Sequence, residues 1–178
     1  MIVCGLDIST SCIGFCIIDT ETEKENFYAF YPKGKDWLEK AASVKDYLHE
    51  IFIKHPFETV YIEENLQAFR PGLSSAKTLM SLARFNGVIS FMIKDIFGVT
   101  PEFLNVNLAR KSVGLKIISK KKGGAPTKEQ VLAWVDSRTN FSWPTKTLKS
   151  GPRKGQTILD SSCYDMADAY VIVQAGLA

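Results

Sequence analysis

Four acidic residues lie where apolar residues are expected. Asp7 falls near the end of the first apolar run, Glu63 ends another, and the last apolar segment contains Asp165 and Asp168. Carboxylates that are brought together repel one another and raise each other's pKa unless a cation lies among them. Mg²⁺, Mn²⁺ and Ca²⁺ prefer such oxygen ligands. Two ions about 4 Å apart hydrolyse phosphodiesters, so these acids predict a metal-dependent nuclease site.

The elements that must position these acids form a β-β-β-α-β-α-β series followed by further helices. Strands are predicted over residues 2–8, 13–19, 26–31, 59–63 and 102–106. Helices are predicted over residues 35–54, 74–97, 127–138 and 161–176, and a short helix or turn over residues 107–113. Thr127 and Ser161 are expected to cap the last two helices. The Pro, Gly and Lys content of residues 139–160 predicts an irregular segment.

The connections between these elements predict a mixed sheet. The first three strands are joined by short turns, which favours antiparallel pairing. A helix precedes the fourth strand, so this strand is expected to run parallel to the first. Asp7 and Glu63 would then meet at the carboxyl edge of the sheet, where α/β proteins form their sites. Asp165 and Asp168 would join them if the last helix packs beside the first strand.

Each acid also has a structural interpretation that involves no chemistry. Asp7 could cap the turn at Ser9, and Glu63 could lie at an exposed strand end. The acids of the last helix could favour its dipole. The joint placement of all four at element ends favours the metal-site interpretation.

The small net charge of +3 conceals a polarised distribution. Residues 107–154 carry a net charge of +10, and the rest of the 178-residue chain carries −7. A basic segment of this kind is typical of a nucleic-acid contact, although it is also compatible with a solvated loop.

Composition excludes several other classes of protein. A hydrophobic content of 46% excludes intrinsic disorder, and the length predicts a single domain over residues 1–178. The four cysteines show neither a zinc-ligand spacing nor a disulfide framework. No signal peptide or membrane span is predicted. We therefore expect a cytoplasmic or other intracellular protein with no membrane partner, not a secreted one.

The order and spacing of these residues resemble the RuvC-type Holliday junction resolvases of the RNase H-like, retroviral integrase-like nuclease superfamily. The resemblance is carried by the GLDIST opening with Asp7, by Ile62-Glu63, and by DMADA with Asp165 and Asp168. Further matching positions on the helix after Glu63 are Ser75, Leu82, Gly87 and Val88. The resemblance implies an α/β, RNase H-like fold. Its mixed five-stranded sheet has three antiparallel strands followed by two parallel ones, flanked by helices.

The resemblance also implies an activity. It implies a homodimer, paired through helix 74–97, that resolves four-way (Holliday) junctions in branched DNA and leaves 5′-phosphate and 3′-hydroxyl ends. Two Mg²⁺ ions per site, with Mn²⁺ as a substitute, would serve as cofactors. The catalytic and metal-binding residues would be Asp7, Glu63, Asp165 and Asp168.

Several other residues are predicted to contact DNA. Phe69 could stack on or wedge an unpaired base, although it could equally pack under its own loop, and Arg70 is expected to meet a phosphate. The start of the following helix, at Ser74 and Ser75, could hold a phosphate, although helix capping explains at least one of them. Basic residues expected along the junction arms are Arg110, Lys111, Lys116, Lys120, Lys121 and Lys122.

Three other functions share parts of this pattern. The GLDISTS turn also resembles sugar kinases and other actin-like ATPases, but the chain lacks their second lobe. Ribonuclease H shares the fold but not the position of Glu63. A nuclease acting on flaps or RNA/DNA hybrids and a non-catalytic nucleic-acid-binding module stay open as alternatives.

Overall fold

A five-stranded sheet forms the centre of the computed structural model, which describes residues 1–64 and 75–178. The strands are β1 (Ile2–Ile8), β2 (Ile13–Asp19), β3 (Lys24–Phe30), β4 (Thr59–Glu63) and β5 (Glu102–Leu104). Their spatial order is β3-β2-β1-β4-β5. The first three strands pair antiparallel, and β4 runs parallel to both β1 and β5. The predicted mixed sheet is therefore confirmed.

Helices cover both faces of this sheet. They are α1 (Trp37–Lys54), α2 (Ala76–Phe97), α3 (Val106–Ser112), α4 (Thr127–Asp136) and α5 (Ser162–Leu177). One core lies between the sheet and helices α1 and α2. The other lies between the sheet and helices α4 and α5, with α3 at its margin. Because β1 and β2 are buried on both faces, their sequences are almost continuously apolar.

The prediction that residues 139–160 are irregular was wrong. This segment contains a two-stranded antiparallel hairpin made of β6 (Thr145–Thr147) and β7 (Thr157–Leu159). The first of these strands has the sequence Thr-Lys-Thr and is fully exposed, so it shows no apolar alternation. Cross-strand backbone hydrogen bonds, which leave no mark on hydropathy, define the pair.

Several element ends also differ from the sequence-based prediction. Helix α4 starts at Thr127 itself and has Pro126 in the cap position, so the predicted Thr127 cap was wrong. At α5, Ser161 makes no side-chain capping bond. The Oδ1 of Asp160 instead accepts a hydrogen bond from the backbone N–H of Ser162 at 3.0 Å. An adjacent carboxylate therefore replaces the hydroxyl at this helix start.

In the described part of the chain, none of the helices is both long and apolar enough to cross a bilayer.

Candidate active site

Strand register places Asp7 and Glu63 beside each other. Leu6 pairs with Ile62 across the parallel strands β1 and β4, and the two acids are the next residues along each strand. Glu63 also pairs with Leu104 of β5. The two carboxylates consequently share the carboxyl edge of the sheet, as the sequence predicts.

The last helix approaches this edge because two glycines allow it. A Cβ on Gly14 would lie 2.2 Å from backbone atoms of Asp165, and a Cβ on Gly5 would lie 2.3 Å from the carbonyl oxygen of Ala169. Real Cβ atoms do not approach so closely, so only glycine fits at these positions. The contact holds the acid-bearing start of α5 against β1 and β2. All four predicted acids therefore lie in one region.

The four carboxylates interact electrostatically. Burial raises the pKa of Asp7 well above its usual value, and the negative charges of the other three acids raise it further. Burial, followed by the charge of Asp168, raises the pKa of Glu63 to about 7. Burial is also the main cause of the raised pKa values of Asp165 and Asp168. Such mutual repulsion is typical of a site that needs a cation.

Arg110 provides a positive charge to this cluster. Its Nη2 donates a hydrogen bond to the Oδ1 of Asp168 at 3.0 Å, and both side chains are 17% exposed. The guanidinium lowers the pKa values of Asp7, Glu63 and Asp168, which partly offsets burial. The Nε of Arg110 is buried and has no hydrogen-bond partner among the described residues. Arg110, predicted to contact DNA, thus lies within the acidic cluster.

The acids are close enough to interact but do not form a closed coordination shell. Within residues 1–64 and 75–178, no group of three or more His, Cys, Asp or Glu side chains is arranged to hold a metal ion. Asp168 instead bonds the guanidinium of Arg110. A divalent ion held by all four acids would therefore require their carboxylates to rearrange, with Asp168 leaving the guanidinium of Arg110. The donor set itself, four carboxylates with raised pKa values, fits a hard divalent cation.

The raised pKa of Glu63 predicts a pH-dependent stability in metal-free solution. An acid whose folded-state pKa exceeds its unfolded value stabilises the protein fully below the unfolded pKa, and this stabilisation is lost as pH rises through the folded pKa. We expect the free energy of unfolding in EDTA to fall by roughly 2 to 3 kcal/mol between pH 4.5 and 7.5. Denaturant titrations measure this change. Glu63→Gln should flatten the dependence, and an equal slope in both proteins would contradict the assignment.

Two residues near the acids were not predicted from the sequence. Cys12 lies beside Asp165 and Asp7; burial is the main cause of its raised pKa, and the charges of these two acids raise it further. The Nζ of Lys128 lies 4.5 Å from the ring centroid of Tyr164, and its charge lowers the pKa of Asp165. Neither Cys12 nor Lys128 belongs to a local sequence motif. Their proximity to the acids becomes apparent only from the packing of β2 and α4 against α5.

Ser9, and not Asp7, makes the side-chain hydrogen bonds that close the turn after β1. The Oγ of Ser9 accepts hydrogen bonds from the backbone N–H groups of Ser11 and Cys12 at 3.2 and 3.1 Å. It also donates to the carbonyl oxygen of Cys12 at 2.8 Å. The carboxylate of Asp7 is consequently not needed to close this turn.

The remaining predicted DNA contacts have varied locations. Phe69, Arg70 and Ser74 lie outside the described residues. Ser75 caps α2, where its Oγ accepts a hydrogen bond from the N–H of Thr78 at 3.1 Å. The exposed lysines among the predicted contacts are Lys111, Lys116, Lys120, Lys121 and Lys122.

The segment that bears the last three of these lysines is folded onto α4. The side-chain amide of Gln130 accepts from the N–H of Ile118 at 2.9 Å and donates to the carbonyl oxygens of Ile118 and Ala125. Lys120–Lys122 form a short 3₁₀ turn between these anchors. The lysine cluster is therefore presented by a braced segment.

Known proteins resemble this chain in sequence and in fold. No protein-family model matches it. The crossover junction endodeoxyribonuclease RuvC of Aliarcobacter butzleri (strain RM4018) is 27% identical over 151 residues, which are 83% of this chain and 90% of the relative. These figures support homology along most of both chains.

Solved structures of resolvases share the fold. The RuvC of Thermus thermophilus superposes with a TM-score of 0.61 at 19% identity, covering 98% of this chain and 92% of that one. In its complex with a Holliday junction substrate, the T. thermophilus RuvC gives a TM-score of 0.60 at 15% identity, covering 98% and 91%. The yeast mitochondrial resolvase Ydc2 gives 0.54 at 14% identity, covering 97% and 76%. The predicted RNase H-like fold and the resemblance to RuvC-type resolvases are confirmed.

Proposed function

We propose that this chain, which resembles the RuvC-type Holliday junction resolvases, is a metal-dependent endodeoxyribonuclease that resolves four-way DNA junctions. The observation that carries the proposal is the meeting of Asp7, Glu63, Asp165 and Asp168 in one region at the edge of the sheet. Burial raises the pKa of all four, and the charges of neighbouring acids further raise those of Asp7, Glu63 and Asp165. The homology to RuvC supports the choice of substrate.

The same four acids would hold the cofactor, two Mg²⁺ ions or Mn²⁺ in their place. When bound, such ions supply an activated water and stabilise the leaving 3′ oxygen of a phosphodiester, which gives 5′-phosphate and 3′-hydroxyl ends. Asp7 and Glu63 stand on paired strands, so their backbones are rigid. Asp165 and Asp168 stand on one face of a buried helix. The chain thereby fixes the backbone positions of the four acids before any ligand arrives.

Arg110 has two roles in this proposal. Without metal, its guanidinium compensates part of the negative charge through Asp168. With metal and DNA present, the same side chain can turn to a backbone phosphate, because its Nε is not committed to any described partner.

A substrate panel tests the proposed activity. The parent protein with Mg²⁺ should cut a synthetic four-way junction in preference to a flap, a linear duplex and an RNA/DNA hybrid. Preference for a flap or hybrid would place the site in a related nuclease class. Binding without cleavage of any substrate would favour the non-catalytic module.

We further propose that α2 forms a homodimer interface. Its inward side buries Phe85, Ile89 and Ile93 against the core, yet Met80 and Phe91 on its outward side are 55% and 66% exposed. These two lie on one stripe of the helix, together with the exposed positions Ala83 and Gly87. An exposed apolar stripe of this kind is typical of an association surface.

Phe91→Glu is expected to convert the proposed dimer into a monomer, because a carboxylate would replace the most exposed apolar side chain of the stripe and would be buried without a partner. Sedimentation velocity at micromolar concentration measures the change. Ile53→Glu, at an 80% exposed position on α1, serves as the matched control. A parent that sediments as a monomer would refute the proposed interface.

Neutralising Lys120, Lys121 and Lys122 to Gln should flatten the salt dependence of junction binding. Each lost phosphate contact is expected to reduce the slope of log K against log salt by about 0.9. Fluorescence anisotropy with a labelled junction over a series of salt concentrations measures this slope. Lys24, Lys45 and Lys54, exposed on β3 and α1, form a control triplet of equal charge. An unchanged slope would show that the lysines are only solvated.

A further inference from the structure

The hairpin β6–β7 carries basic residues that belong to the basic segment 107–154 but are not among the individually predicted DNA contacts. Between Pro144 and Leu159 the sequence contains four basic residues and no acidic one. Lys149, Arg153 and Lys154 surround the tip and are exposed. In the part of the chain that the structure describes, none of these three forms an ion pair. Their charges are therefore available to a ligand.

The tip has a defined backbone that presents these side chains together. The N–H of Leu148 donates to the carbonyl oxygen of Gln156 at 2.9 Å, and the N–H of Gly155 donates to the carbonyl oxygen of Leu148 at 2.8 Å. Gly151 and Gly155 have φ angles of 78° and 89°, a left-handed region that glycine adopts without strain. The basic tip is thus a closed turn of a β-ribbon.

The base of the hairpin is fixed to the body of the protein. The N–H of Asp160 donates to the carbonyl oxygen of Pro144 at 2.9 Å, and Lys146 lies 3.5 Å from the carboxylate of Asp160. Just before the hairpin, the ring of Trp143 packs 5.3 Å from that of Phe27, and its Nε1 donates to Asp136 at 2.9 Å. These contacts fix the base of the hairpin to the rest of the protein.

That base lies beside the acidic cluster. Asp165 follows the end of β7 by six residues. Tyr31, which comes directly after β3, donates a hydrogen bond to Asp160. The end of β3 pairs with the start of β2, near which the Asp165 backbone packs. The basic ribbon therefore projects from the same edge of the sheet as the acids.

We propose that the β6–β7 hairpin is a nucleic-acid-binding arm, which grips the phosphate backbone of a duplex DNA arm next to the cleavage site through Lys149, Arg153 and Lys154. This inference rests on the proposed nuclease function. The ligand class follows from the charge, since three exposed cations that form no ion pair with a described residue favour a polyanion such as the phosphate backbone of a duplex. A two-stranded ribbon also fits a major groove about 12 Å wide.

Salt-dependent binding tests the contribution of the three cations. The variant Lys149→Gln, Arg153→Gln, Lys154→Gln is expected to reduce the salt slope for a labelled four-way junction by about 2 to 3. A second variant, Lys149→Arg, Arg153→Lys, Lys154→Arg, keeps the charge and should retain the parent slope. An unchanged slope in the Gln variant, or an equal loss in both variants, would overturn the proposal.

Cross-linking tests the location of the contact. The four native cysteines are all buried, so Ser150→Cys at the tip would provide the exposed thiol for a photoactivatable aryl azide. We expect its cross-links on duplex arm nucleotides near the cleaved phosphates. Thr22→Cys, in the exposed β2–β3 turn at the opposite end of the sheet, is the control. Equal cross-linking from both sites would overturn the proposal.

The parent protein separates this inference from the proposed function. A parent that binds and cuts the junction while the hairpin variants behave like it refutes only the hairpin. A parent that neither binds nor cuts any substrate refutes the proposed function, and with it the duplex ligand of the hairpin.

Discussion

Asp7→Asn is expected to abolish Mg²⁺-dependent cleavage of a four-way junction while leaving junction binding intact. Asp7 lies next to Glu63 on the central strand pair, and its pKa responds to all three other acids. Replacing its carboxylate by an amide of the same shape removes one negative charge from the proposed metal site without creating a cavity. We expect the single-turnover rate to fall by a factor on the order of 10³.

The measurement pairs cleavage assays with anisotropy on the same labelled junction. Asp46→Asn, at an exposed position on α1, is the matched control and should cut like the parent. Binding should be kept because an amide at position 7 repels phosphate less than a carboxylate does. Cleavage by Asp7→Asn at the parent rate would refute the role of this residue.

Arg110→Met is expected to destabilise the metal-free protein and to enlarge its response to Mg²⁺. The guanidinium is the partner of Asp168 in a pair that is largely buried, and its removal leaves that carboxylate unpaired. Breaking such a pair costs about 3 kcal/mol. This corresponds to a fall in Tm of about 6 to 12 °C for a domain of this size.

The increased response to Mg²⁺ has an electrostatic cause. Arg110 lowers the pKa values of Asp7, Glu63 and Asp168, so its loss strengthens the repulsion that a divalent ion relieves. Ligand binding to the folded state raises stability by mass action. We therefore expect Mg²⁺ to raise the Tm of Arg110→Met by more than that of the parent.

Thermal unfolding in EDTA and in a Mg²⁺ series measures both effects. Lys111→Met is the matched control, since Lys111 is the adjacent exposed residue on α3. It should unfold like the parent in both buffers. An equal loss of Tm in the two variants would show that Arg110 acts only through packing. If Mg²⁺ raised the Tm of the parent and of Arg110→Met by the same amount, the guanidinium would have no electrostatic influence on the proposed cation site.

Several features of the fold could be predicted because their signals are local. Apolar runs indicated the strands of the central sheet, and helical periodicity indicated the helices that cover it. The helix before β4 indicated that β4 runs parallel to β1. Each acid stands out within its own run, because a carboxylate near the end of an apolar strand is unusual in that context alone. The resemblance to resolvases drew on the same local motifs.

The sequence by itself determined the order of the elements of the five-stranded sheet and its helices, and it singled out the four acids, since both depend on neighbours along the chain. The tertiary structure determined which charged side chains lie next to one another. Arg110 meets Asp168 across 58 residues, and only the packing of α3 on α5 creates that pair. The tertiary structure also determined that a polar segment forms the β6–β7 hairpin. Cross-strand backbone hydrogen bonds hold the two strands together, and Trp143 packs on Phe27, which is far away in the sequence. Such contacts join residues far apart in the chain and leave no periodic pattern in it.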